Sequence, residues 1–195
     1  MAEPVTIAAL GDSLTQGYGL VPEEGFVPQL QKWLTAHGAE ATLINAGVSG
    51  DTTAGGLSRI DWTLSPEVDA VIVALGGNDV LRGLPPEQAR SNIDGILSKT
   101  DARGLPVLIA GIDPPSNFGP EYKAEFEALY TDLATKHDAL VFPNFLEGLT
   151  RIEDRAMVMR EHMQSDGIHP DASGVLLVVE AIGPAVLDLI ARAKP

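Results

Sequence analysis

The chain of 195 residues contains no cysteine. That removes disulfides, thiolate metal sites and a cysteine nucleophile together, and leaves either redox compartment open. Aromatic residues make up only 5%, so aliphatic side chains must fill most of the interior. Basic residues are scarce: 13 Lys and Arg stand against 27 Asp and Glu, for a net charge of −14. A field of that sign repels phosphate backbones and anionic lipid surfaces, which sets nucleic-acid binding aside. No run approaches the roughly eighteen consecutive apolar residues of a membrane span, so stable membrane insertion is not expected. Some motifs are missing too. There is no Gly-x-Ser-x-Gly nucleophile elbow. No Gly-x-Gly-x-x-Gly follows the first apolar run, and there is no Walker A sequence, which weakens a nucleotide-binding reading.

What is present is ordinary for a globular chain: 45% apolar and 21% charged residues. The length suits one domain, residues 1–195, with one sizeable core; composition sets no oligomeric state. Near-continuous apolar runs occur at Val5–Leu10, Ala41–Asn45, Asp69–Leu75, Pro106–Ile112 and Ala139–Phe142. Strands buried on both faces read this way, as in a parallel sheet covered by helices. Between them lie helical periodicities. Ala89, Ile93, Ile96 and Leu97 share one face, as do Tyr122, Phe126, Leu129, Tyr130, Leu133 and His137, the latter behind Gly119-Pro120. Val175, Val179, Ile182, Val186, Leu189 and Ile190 mark a C-terminal helix with a possible kink at Gly183-Pro184. The alternation predicts a three-layer α/β/α sandwich. The least regular stretch is 143–165.

Ser13 follows the first run directly, within Gly11-Asp12-Ser13-Leu14. A hydroxyl needs a neighbouring base to become a nucleophile. Asp166-Gly167-Ile168-His169 supplies an acid and an imidazole three residues apart, and Pro170 biases His169 away from helical geometry. In that reading His169 takes the Ser13 proton and Asp166 fixes the imidazole tautomer. Each piece also has a bland reading, as a helix cap or a surface ion pair. His37 and His137 lie near helix ends, where dipole partners explain them. His162 has no acid three residues upstream. Gly76-Gly77-Asn78-Asp79 and Ser49-Gly50-Asp51 read either as tight turns or as oxyanion donors, through the Asn78 amide and the Gly50 N–H.

Taken together, Gly11-Asp12-Ser13-Leu14, Gly50, Gly76-Gly77-Asn78-Asp79 and Asp166-Gly167-Ile168-His169 resemble the four ordered blocks of the GDSL, or SGNH, hydrolase family. The segments Asn45–Thr52 and Leu75–Leu84 look most like its bacterial branch of thioesterase I/protease I/lysophospholipase L1 and arylesterases. The resemblance implies a flavodoxin-like sandwich of about five parallel strands. It implies Ser13 as nucleophile, His169 as base and Asp166 as orienter. The Ser13 N–H, the Gly50 N–H and the Asn78 amide would form the oxyanion hole. The implied activity is hydrolysis of short- to medium-chain acyl esters and aryl esters, with acyl-thioesters and lysophospholipids as further small-molecule substrates. No metal or other cofactor is expected. Rival readings are a carbohydrate O-deacetylase on the same scaffold and a flavodoxin-like phosphate- or flavin-binding module.

The loop Ile112-Asp113-Pro114-Pro115 corresponds to a substrate-lining segment of the branch, which makes Asp113 and Pro114 candidate lining residues. Val80, Leu81 and Leu84 follow Asn78 as an apolar lip, and Phe118 and Tyr122 are candidates across the cleft. Met157, Val158, Met159 and Met163 have two readings. Met157 and Met163 line an acyl groove, or the group is a short amphipathic helix packed on the core. Met1-Ala2-Glu3-Pro4 reaches the first strand with no basic or apolar leader. That start fits a cytoplasmic protein or one whose signal peptide has been removed; the resemblance to an often-exported branch favours the periplasm.

Overall fold

Each of the apolar runs becomes a strand of one parallel sheet in the computed structural model, which describes residues 4–193. The Met1-Ala2-Glu3 start therefore lies outside the described residues. The strands are β1 (Val5–Gly11), β2 (Ala41–Gly47), β3 (Ala70–Ala74), β4 (Val107–Ala110) and β5 (Leu140–Phe142), in the order β2-β1-β3-β4-β5. All pairings are parallel. The central strands β3 and β4 are buried along their whole length, which is why they lack alternation. Strand β4 starts after Pro106, a residue with no N–H for the ladder.

Helices cover both faces. The elements α1 (Ser13–Gln16), α2 (Phe26–Ala36), α3 (Thr53–Thr63), α4 (Gly77–Leu81) and α5 (Pro86–Asp101) precede β4. After it come α6 (Pro120–Lys136), α7 (Glu147–Thr150), α8 (Arg155–Glu161) and α9 (Ala172–Ala193). On one face Phe26, Leu30 and Leu34 of α2 meet Val179, Ile182 and Val186 of α9. On the other, Ile60 of α3, Ile93 and Ile96 of α5, and Phe126 and Leu129 of α6 form a second cluster. Each such side chain contributes about 1.5–3 kcal/mol on burial, so two aliphatic layers compensate for the shortage of aromatics.

Helix α9 runs unbroken through Pro184, so the expected kink does not split it. Gly183 serves packing instead: an added Cβ there meets the Trp33 ring of α2 at 2.6 Å. By length and composition α9 is apolar enough to cross a membrane, yet half of that window is buried inside the protein, as for a core helix. The stretch 143–165 is more regular than expected. Asp154 caps α8 by accepting from the Met157 N–H at 2.9 Å, and Phe145, Leu149 and Val158 are buried.

The strand order reverses direction between β1 and β3. In open parallel sheets a crevice opens beyond the carboxyl ends of the strands at such a point. Ser13 follows β1 and Asn78 follows β3, one on each side of it.

Candidate active site

Asp12 begins the site by capping α1: its Oδ1 accepts from the Leu14 N–H at 3.0 Å. The helix is a single turn and ends at Gly17 in the left-handed region. It sits against the end of β2, where Gly47 leaves room. A Cβ on Gly47 would come within 2.3 Å of the Gln16 backbone nitrogen. Ser13 is thereby held at the first helical position, half-buried, with its side chain at the sheet edge.

His169 comes to it from the other end of the chain. Its Nε2 lies 2.9 Å from Ser13 Oγ and its Nδ1 lies 2.7 Å from Asp166 Oδ2. The other Asp166 oxygen accepts from the Ile168 and His169 N–H groups at 2.9 and 3.0 Å. These bonds, led by the His169 N–H, hold the Asp166 carboxyl down at about 2. A carboxylate only accepts, so Nδ1 carries the proton and Nε2 turns its lone pair to Ser13. The loop is latched by residues that no motif announced. Gln164 donates to the Tyr18 and Pro170 carbonyls at 2.8 and 3.0 Å, and the Tyr18 ring lies 4.7 Å from the His169 ring.

Gly50 and Asn78 lie on the same cleft as Ser13 and His169. Among the described residues, neither the Ser13 N–H nor the Gly50 N–H has an acceptor. The Asn78 amide is already engaged. It donates to the Asp51 carbonyl at 2.9 Å and, more weakly, to Asp12 Oδ2 at 3.3 Å. Burial pushes the Asp12 carboxyl up to about 6, against the pull of the Leu14 N–H, His169 and Asn78. Gly76, at φ 122°, makes the sharp turn into α4 that only glycine adopts without strain. Asp79 then anchors the turn: its buried carboxyl accepts from the Thr53 N–H at 2.8 Å and the Thr53 hydroxyl at 2.6 Å.

A cleft of about 350 Å³ opens beside Ser13 and His169. Val80 and Leu81 form part of its wall, and Asp113 and Pro114 another part. Ile112, Leu146, Thr150 and Ile168 also line it; Leu146 and Thr150 sit in the stretch that carried no sequence signal. Five expected lining residues, Leu84, Phe118, Tyr122, Met157 and Met163, lie elsewhere. The Leu84 carbonyl accepts from the Tyr122 hydroxyl at 2.9 Å. Phe118 packs on the Tyr122 ring at 5.0 Å and over Gly83. Met157 rides on α8, whose cap and buried Val158 make it the core-packed helix of the two readings. Met163 packs against the α2–α9 core and bridges to Pro170. Among the described residues, no group of three or more His, Asp or Glu side chains is placed to hold a metal ion.

Hydroxyl, imidazole and carboxylate in series, beside a cleft that Gly50 and Asn78 also line, define a class of protein: the serine hydrolases. Comparison with known proteins narrows it. A family model described as the GDSL-like lipase/acylhydrolase family matches residues 9–176, and the chain belongs to that family. Esterase TesA of Pseudomonas aeruginosa is 37% identical over 95% of this chain and 89% of its own length. The arylesterase of Vibrio mimicus is 36% identical over 84% of this chain and 79% of its own. The crystal structure of AlinE4, an SGNH-hydrolase family esterase, superposes with a TM-score of 0.77 at 45% identity, covering 96% of this chain and 97% of that one.

Proposed function

We propose that the chain, acting as one hydrolase domain, is a serine esterase that cleaves short- to medium-chain acyl esters and aryl esters through an acyl-serine intermediate. The observation that carries this reading is the unbroken relay Ser13 Oγ–His169 Nε2, His169 Nδ1–Asp166 Oδ2, at 2.9 and 2.7 Å. Ser13 Oγ attacks the ester carbonyl carbon while its proton passes to Nε2. The resulting imidazolium is stabilised by Asp166 and returns the proton to the departing alcohol. Water, deprotonated by the same nitrogen, then releases the acid and restores Ser13. The tetrahedral oxyanion takes hydrogen bonds from the Ser13 and Gly50 N–H groups. Asn78 supplies a third as its long contact to Asp12 gives way. The apolar wall of Val80, Leu81, Ile112 and Leu146 suits an acyl chain better than a sugar ring. Acyl-thioesters and lysophospholipids are compatible with the same carbonyl chemistry.

The test is Ser13→Ala against a p-nitrophenyl ester series of increasing acyl length, with acetylated sugars alongside. Turnover is expected to vanish while the thermal transition is kept, and a fluorophosphonate is expected to label wild type only. Near-normal ester turnover by Ser13→Ala ends the proposal; preferential release of acetate from sugars replaces it with a deacetylase.

A further inference from the structure

We propose that Arg59 is a positioning residue for the oxyanion hole, clamping the strand ends and the loop that carry its donors. Arg59 lies on α3, outside the cleft lining. Each of its guanidinium nitrogens has a different partner. Nη2 donates to the Gly11 carbonyl at 2.9 Å, at the last residue of β1 and two residues before Ser13. Nη1 donates to the Ala46 carbonyl at 2.7 Å, near the end of β2. Nε donates to Asp51 Oδ2 at 2.6 Å, one residue after Gly50. Asp51 continues the chain of contacts, since its carbonyl accepts the Asn78 amide at 2.9 Å. One side chain thus connects to the segment bearing the Ser13 N–H, the segment bearing the Gly50 N–H and the Asn78 side chain itself.

The local sequence is built for this. Gly55, one turn ahead of Arg59, has no side chain where the Asp51 carboxyl lies; a Cβ there would meet Asp51 Oδ1 at 2.6 Å. The pair is sheltered, with Arg59 and Asp51 side chains 21% and 18% exposed, so the clamp is little loosened by solvent. A planar guanidinium holds a fork of donors at fixed angles, which a lysine ammonium cannot reproduce. Oxyanion donors act only when held where charge develops, and a displacement of about 1 Å costs on the order of 100-fold in rate.

This inference rests on Ser13 being the nucleophile, so the experiment carries Ser13→Ala in parallel. Arg59→Lys, Arg59→Ala and Asp51→Asn are assayed with p-nitrophenyl butyrate. Active sites are counted by fluorophosphonate labelling, so that kcat refers only to folded, competent enzyme. The expectation for Arg59→Lys is a kcat per labelled site lower by roughly tenfold with KM within about twofold of wild type. A smaller kcat loss is expected for Asp51→Asn. Arg59→Ala is expected to lose about 100-fold and to recover part of it in millimolar guanidinium. If Arg59→Lys keeps wild-type kcat per labelled site, or if activity falls only in step with the labelled fraction, Arg59 is structural and the inference fails. Retention of turnover by Ser13→Ala overturns the underlying assignment instead.

Discussion

Asp79 offers the sharpest check on how the site is held. It is 1% exposed and lies next to Asn78, and its two carboxyl oxygens take the Thr53 N–H and the Thr53 hydroxyl at 2.8 and 2.6 Å. Thr53 is itself fully buried, and its hydroxyl oxygen also accepts from Asn92 Nδ2 at 3.0 Å. Replacing Asp79 by Ala strands two donors away from water. Each stranded donor costs about 1–3 kcal/mol, partly offset because the carboxyl no longer has to be buried, so a net loss of about 3 kcal/mol is expected. For a chain of this size each kcal/mol lowers the melting temperature by about 2–4 °C, so the transition should fall by roughly 10 °C. Asp79→Asn keeps an acceptor for the Thr53 N–H and should lose only about 1 kcal/mol. Urea and thermal unfolding of the three proteins measure this directly. Should Asp79→Ala unfold within about 0.5 kcal/mol of wild type, the range of neutral surface changes, the anchoring argument is wrong. Because Asp79 fixes the turn that presents Asn78, the Ala variant is also expected to lose kcat before it loses fold.

Removing the side-chain oxyanion donor, in Asn78→Ala, is expected to lower kcat by roughly 100- to 1,000-fold with KM little changed; a loss below about fivefold in steady-state ester hydrolysis removes Asn78 from the mechanism. Asp12 makes a pH prediction of definite sign. Its carboxyl sits at about 6 in the folded protein against 3.8 ordinarily. Between those values the folded chain holds more protons than the unfolded one, so this residue's contribution to stability declines as pH rises and levels off above about 6. That difference corresponds to about 3 kcal/mol. The stability of Asp12→Asn relative to wild type should therefore improve by that order between pH 4 and pH 7 in urea titrations, and a pH-independent difference refutes it.

Much of this protein is legible in its amino-acid sequence. Unbroken aliphatic runs such as Ala70–Ala74 announce strands buried on both faces, because nothing polar can alternate there. The Asp166-x-x-His169 spacing lets one turn join carboxylate and imidazole, which is a local matter. The cleft lining is less legible. Leu84, Phe118, Tyr122 and Met163 look like cleft residues by adjacency in sequence, but Tyr122 pairs with the Leu84 carbonyl and the Phe118 ring, and Met163 packs against the α2–α9 core; Met157 lies on α8, outside the cleft lining. Leu146 and Thr150 reach the cleft from a stretch whose apolar side chains carry no period.

The layers, the order of strand and helix, and the chemical types available for the reaction follow from burial patterns and short-range spacing along the chain. It takes the folded arrangement to bring residues 13 and 169, more than 150 positions apart, into a hydrogen bond of 2.9 Å. The same arrangement lets an arginine on α3 gather two strand ends and Asp51. Periodicity reports which face of an element is apolar. It carries no information on where strand ends converge, and that is set by the β2-β1-β3-β4-β5 order and the close approach of α1 to Gly47.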